Sequence, residues 1–146
     1  MTRQKAVSKV LELKGFTKEQ LEFEVRAIRD KLNSEQTRLD ALEQSYKKTS
    51  DELACRQLSN TMPVQELNLF YAYLKHLAKQ TELQKQLVAI RARELDEKQQ
   101  AMIEAHKERR LVEILYDKIV RTNRKEADRD EQKEADSSYL TRKAGR

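Results

Sequence analysis

Apolar residues recur along this chain at alternating intervals of three and four, the spacing of a helix that buries one stripe against another helix. In the first half, one series seven apart reads Leu11, Lys18, Val25, Leu32, Leu39, Tyr46 and Leu53, and its companion reads Val7, Lys14, Leu21, Ile28, Glu35, Leu42 and Thr49. Ten of these fourteen positions are apolar, enough to sustain a coiled-coil seam. A second stripe runs through Leu67, Phe70, Leu74, Leu77, Val88, Leu95, Met102, Ala105, Val112, Tyr116 and Ile119. Its register is less regular. Between Thr81 and Arg91 the strict positions turn polar while Leu83, Leu87 and Ile90 sit one position early, a drift predicted to unwind the supercoil locally. Arg91, Lys98 and Arg109 also fall on the nominal seam, where their stems can lie along apolar neighbours while the charges reach water.

The two stripes flank the only proline, Pro63. Proline is unfavourable in a helix interior but suits a first turn, where its missing N–H has no partner to lose. Ser59, Asn60 and Thr61 before it are turn and cap residues, and Glu66 places negative charge near a helix start. The pattern predicts one coiled-coil domain over 1–146, with a helix over about 3–58, a turn over about 59–62, a second helix over about 63–136 and a flexible tail over about 137–146. Within KGFTKEQL, Thr17 and Gln20 have capping-box spacing, Phe16 and Leu21 that of a hydrophobic staple, and Gly15 could close a short helix. The first helix therefore either breaks near 15–17 or runs through, since the seven-residue series stays in phase.

A short connection between two striped helices implies an antiparallel hairpin. With the turn near Thr61, facing residues have numbers totalling about 122, which sets Leu39 beside Leu83, Leu32 beside Ile90, Leu11 beside Leu111 and Val7 beside Leu115. Past Ile119 the seam positions become Asn123, Glu126, Asp130 and Lys133, so the second stripe stops where the first helix runs out. The fold class predicted is all-α, a two-helix coiled-coil hairpin with unequal arms.

Composition sharpens this picture. The chain is 38% charged and 38% hydrophobic, with two glycines and no tryptophan, which is rich in surface and poor in core-forming bulk. That profile argues against a globular enzyme domain, and two glycines cannot build a phosphate-cradling loop. The net charge of +5 arises from signs mixed along the length, which reads as a solvated helix surface and not as a nucleic-acid stripe. No apolar window approaches the roughly 20 residues of a membrane span, and the N-terminus lacks the apolar stretch of a secretion signal. Cys55 stands alone and fits a reducing compartment. His76 and His106 lie thirty residues apart without a Cys or second His at ligand spacing, so no metal or cofactor is expected.

Two regions stand out for contact with partners. In LNLFYAYL, Leu67 to Leu74, the seam takes Phe70 and Leu74 and pushes Tyr71 and Tyr73 to the flanks, where tyrosine offers apolar area with a polar tip. The stretch Arg121 to Arg146 is a charged helical segment with no partner of its own, which either frays or docks elsewhere.

KVLELK near the start, LDALEQSY in the first helix, the turn, RRLVEILYDK and EADRDEQKEAD follow one another in an order that resembles the FliJ family, the stalk proteins of bacterial flagellar type III export. Val112, Glu113, Ile114 and Leu115 match its leucine-containing element, and Glu131 to Asp136 match its EQKxxD-like segment. The stalk protein of virulence injectisomes is similar. The resemblance implies a non-enzymatic cytoplasmic rod, monomeric when free and like the central stalk of rotary ATPases. Its chain ends would seat in the hexameric export ATPase, and its body would meet the cytoplasmic domain of the export gate at the inner membrane face. Export chaperones are further implied partners. By position, the gate surface would involve Leu42, Tyr46, Phe70, Tyr71, Tyr73, Leu74 and Leu77, and the ring contact Arg121, Arg124, Arg129 and Lys133. A homodimeric coiled-coil scaffold is the competing expectation, with Leu83, Leu87 and Ile90 as its second apolar face.

Overall fold

A computed structural model of the chain describes residues 2–59 and 62–145. The described residues form two α-helices packed against each other, α1 (Thr2–Ser59) and α2 (Val64–Ala144), in an all-α hairpin. They divide into two compact units, Glu22–Gln100 around the turn and Met1–Leu21 with Ala101–Arg146 around the chain ends.

In the turn unit, Leu67 N donates to the Pro63 carbonyl at 3.0 Å, so the proline supplies the first intrahelical acceptor of α2 while withholding no donor the helix needs. Ser59 belongs to α1 and donates its Oγ to the Cys55 carbonyl at 2.9 Å, closing that helix and not capping the next one. The cap residues Asn60 and Thr61 lie outside the described residues. Arg56 ties the two helices together: it pairs with Glu66 in the first turn of α2 and stands 5.5 Å over the Phe70 ring.

The core of this unit is Val25, Leu39 and Leu53 from α1 against Leu74 and Leu77 from α2. Of the fourteen predicted positions in the α1 stripe, all but Tyr46 are buried or half-buried. Among the described residues no side chain is less than 2% exposed, so stability is spread along the seam in modest increments.

The predicted register drift is absent. On α2 every a and d position from Leu67 to Asn123 is buried or half-buried, including Thr81, Gln84, Arg91, Lys98 and Arg109. Leu83 and Ile90, which the drift would have turned inward opposite Leu39 and Leu32, are 51% and 52% exposed. The polar positions hold the register because they find partners. Gln84, 5% exposed, donates its amide to the Glu35 carbonyl at 2.9 Å and to Glu35 Oε2 at 2.6 Å, which removes the penalty of burying an unpaired polar group. Lys98 reaches Glu24 at 2.9 Å. The pairs Glu24 with Lys98 and Arg56 with Glu66 each total 122, so the pairing sum holds although the leucine contacts built on it do not. Arg91 buries its Nε without a hydrogen-bond partner and turns its Nη1 to Glu94 at 3.1 Å.

In the unit of the chain ends, Ala105 and Ile119 are buried, and Lys14 pairs with Glu108 at 2.8 Å. The expected facing residues Leu111 and Leu115 instead lie 67% and 43% exposed. Gln4 accepts from Asn123 at 3.0 Å, closing the seam at the last α2 position that is not exposed. α2 then continues as helix to Ala144, past the limit near 136 drawn from composition. From Arg124 to Gly145 every residue is exposed.

α1 does not break at Gly15. Thr17 donates its Oγ1 back to the Leu13 carbonyl at 3.0 Å, as a residue inside a helix does, and Phe16 is 64% exposed where a staple would bury it. A Cβ at Gly15 would meet only Arg109 Nε, at an ordinary 3.9 Å. Gly15→Ala should therefore stabilise by about 0.5–1 kcal/mol, read as a rise of a few degrees in Tm by circular dichroism. A fall in Tm would mean that Arg109 needs the space.

Candidate partner-binding surfaces

The heptad positions divide the hairpin surface into two flanks. In the turn unit, the ion pairs Arg56 with Glu66 and Lys98 with Glu24 each join a d position to a g position of the other helix, which places the g positions of both helices on one side and the e positions on the opposite side.

The e side carries a shallow groove of about 360 Å³ lined by Glu43, Tyr46, Ala78, Thr81, Glu82 and Lys85. Tyr46, 40% exposed, sits at an a position where tyrosine is too large to be covered by the small residues opposite it, Ala78 and Thr81. Tyr71 shares this flank at 53% exposure, whereas Tyr73 points along the g side at 50%. Of the remaining predicted gate residues, Leu42 and Phe70 are half-buried, and Leu74 and Leu77 are buried in the seam beneath. The seven residues thus form a layered region, with three exposed tyrosines over four seam residues, and the tyrosines face two flanks.

In the unit of the chain ends, Arg121, Arg124, Arg129 and Lys133 are all exposed, and none makes an ion pair among the described residues. The last three lie where α2 has no α1 beside it, since the seam closes at Asn123. Sequence reasoning missed a second feature of this unit. Val10, Leu13, Leu111, Ile114 and Leu115 are 42–67% exposed. Val10 and Leu115 occupy g positions and Leu13 and Leu111 occupy c positions, the flank that Lys14 and Glu108 mark by their d-to-g pairing. A strict heptad count carried through the polar positions would have found it.

No group of three or more His, Cys, Asp or Glu able to hold a metal occurs among the described residues, and no described helix is long and apolar enough to cross a membrane.

A family model described as flagellar FliJ protein matches residues 4–146. The chain belongs to the FliJ family. It is therefore a component of the flagellar type III export apparatus. No curated protein and no solved structure matches the chain. The FliJ match spans both units and the solitary part of α2, including the motif Val112 to Leu115. There Val112 lies in the seam and Glu113 is half-buried beside it at an e position, Glu113 pairs with Arg110 at 3.2 Å and lies 3.7 Å from Arg109, and Ile114 and Leu115 remain open. The EQKEAD segment, Glu131 to Asp136, is helical and exposed throughout.

Proposed function

We propose that this FliJ-family protein is a non-enzymatic stalk of flagellar export, acting in the cytoplasm as a monomer that links the hexameric export ATPase to the cytoplasmic domain of the export gate. The observation that carries the reading is the inequality of the arms. α2 outlasts α1 by some 20 residues, on the order of 30 Å of helix, and this segment presents charges of both signs that make no ion pair among the described residues, Arg124, Arg129 and Lys133 among them, with no apolar stripe to bury. A polar helix of that kind is suited to contacts inside a ring of another protein, with Arg121, Arg124, Arg129 and Lys133 as the ring-facing cations. The exposed Val10, Leu13, Leu111, Ile114 and Leu115 add apolar area beside it. In the turn unit the gate surface reduces to what is accessible: Tyr46 and Tyr71 on the groove flank, Leu42 and Phe70 at its edge, Tyr73 on the other flank, and Leu74 and Leu77 as the packing that holds them. Export chaperones are further partners of the same reading.

Deletion of residues 124–146 tests it. The deletion removes no buried residue, so the melting curve should be preserved, while affinity for the export ATPase falls by about tenfold or more and stimulation of its turnover is lost. Retention of full ATPase binding would move the ring contact elsewhere.

A further inference from the structure

Leu69, Tyr73, His76, Gln80, Leu83, Leu87 and Ile90 follow one another on α2 at the alternating four and three spacing of a coiled-coil seam, yet they are not the seam of the hairpin. They occupy c and g positions on the side opposite the Tyr46 groove. Leu69, Tyr73, Leu83 and Ile90 are 71%, 50%, 51% and 52% exposed, and Leu87 is half-covered. α2 thus carries two apolar stripes in its turn-proximal half, and α1 covers one of them.

Most of the charges around the open stripe that lack an ion-pair partner are basic. Lys79 and Arg93 border it at f positions of α2, and Lys31, Arg38 and Lys48 stand at g and c positions of α1 on the same side. None of these five cations makes an ion pair among the described residues. Of the carboxylates at g and c positions on this side, Glu66 and Glu52 pair with Arg56, Glu94 with Arg91 and Glu24 with Lys98, which leaves Glu97, at the far end of the stripe, as the one without an ion pair among the described residues. From these observations we infer that the Leu69 to Ile90 stripe is a docking site for one amphipathic helix of another protein, a helix with leucine-type residues at heptad spacing and acidic flanks. The geometry is that of a third helix laid against a two-helix coiled coil. A second copy of this chain fits poorly, because pairing the stripe with itself would set the two basic borders against each other. This site shares only Tyr73 with the proposed gate surface and nothing with the solitary part of α2, so a test at Leu83 and Ile90 stands or falls independently of the stalk reading.

The probe is a labelled synthetic helix of about four heptads with leucine at the a and d positions and glutamate at e and g, compared with the same peptide carrying lysine at e and g. Anisotropy titration with the full chain at low salt should show the acidic peptide binding at least about tenfold more tightly, with the gap narrowing as salt rises. Leu83→Glu with Ile90→Glu should remove that binding without altering the melting curve, since both side chains are exposed. Arg38→Glu with Arg93→Glu should reverse the preference toward the basic peptide. Equal affinity for both peptides, or binding that survives the Leu83 and Ile90 replacements, overturns the proposal. So does a concentration-dependent dimer in sedimentation that those replacements abolish, because the occupant would then be a second copy.

Discussion

Leu39→Asp is expected to unfold the turn unit under conditions in which Ile90→Asp leaves it intact. Leu39 is 7% exposed in the seam, and an aspartate there loses the apolar contacts of the leucine and buries a carboxylate in their place. Loss of a buried leucine costs about 2–5 kcal/mol before the charge is counted, a large share of the stability of a small two-helix unit. Ile90 is 52% exposed, and its replacement should fall within about 0.5 kcal/mol of the parent. Circular dichroism melts of both variants read the difference directly. The pair of results separates two registers that the sequence alone leaves close. Had α2 drifted so that Ile90 faced Leu32, both variants would melt early. If Ile90→Asp proves as damaging as Leu39→Asp, the strict heptad through Thr81 to Arg91 is wrong, and the exposed stripe that starts at Leu69 goes with it.

The helices, their antiparallel pairing and the seam in α1 were legible because leucine-rich heptads and a single proline leave few alternatives. The end of the seam was legible as well, since Asn123 succeeds Ile119 opposite the start of α1. What sequence could not weigh was a contest at Gln84. Apolar Leu83, Leu87 and Ile90 pull toward one register, and the strict heptad toward another. The outcome turns on whether Gln84 finds an acceptor across the seam, which depends on Glu35, 49 positions away. Gly15 posed a similar contest between capping signals and a continuous seven-residue series. The series prevailed because Gly15 sits beside Arg109 on a helix that is packed on both sides of it. Among the candidate gate residues the flank positions were legible and the depth of the others was not: Tyr71 and Tyr73 are exposed, while Leu74 and Leu77 are interior and offer no surface of their own.

The polar pair that settles the register also suggests where stability has been given up for uniqueness. Glu35→Leu with Gln84→Leu should raise stability by about 1–3 kcal/mol and Tm by several degrees, because both partners of a buried polar interaction are replaced together by apolar groups that fit a seam. Gln84→Leu alone should gain less, since Glu35 is then left half-buried without the amide. The double variant should also lose definition. With leucine at both positions a slip of one heptad matches almost as well, and the intact seam resembles that of a chain able to pair with copies of itself. Sedimentation and amide spectra should then report more than one species in a protein that melts later than its parent. A double variant that melts earlier would show that Glu35 and Gln84 contribute net stability, and the register would have to be held by the packing of Leu39, Leu53, Leu74 and Leu77 alone.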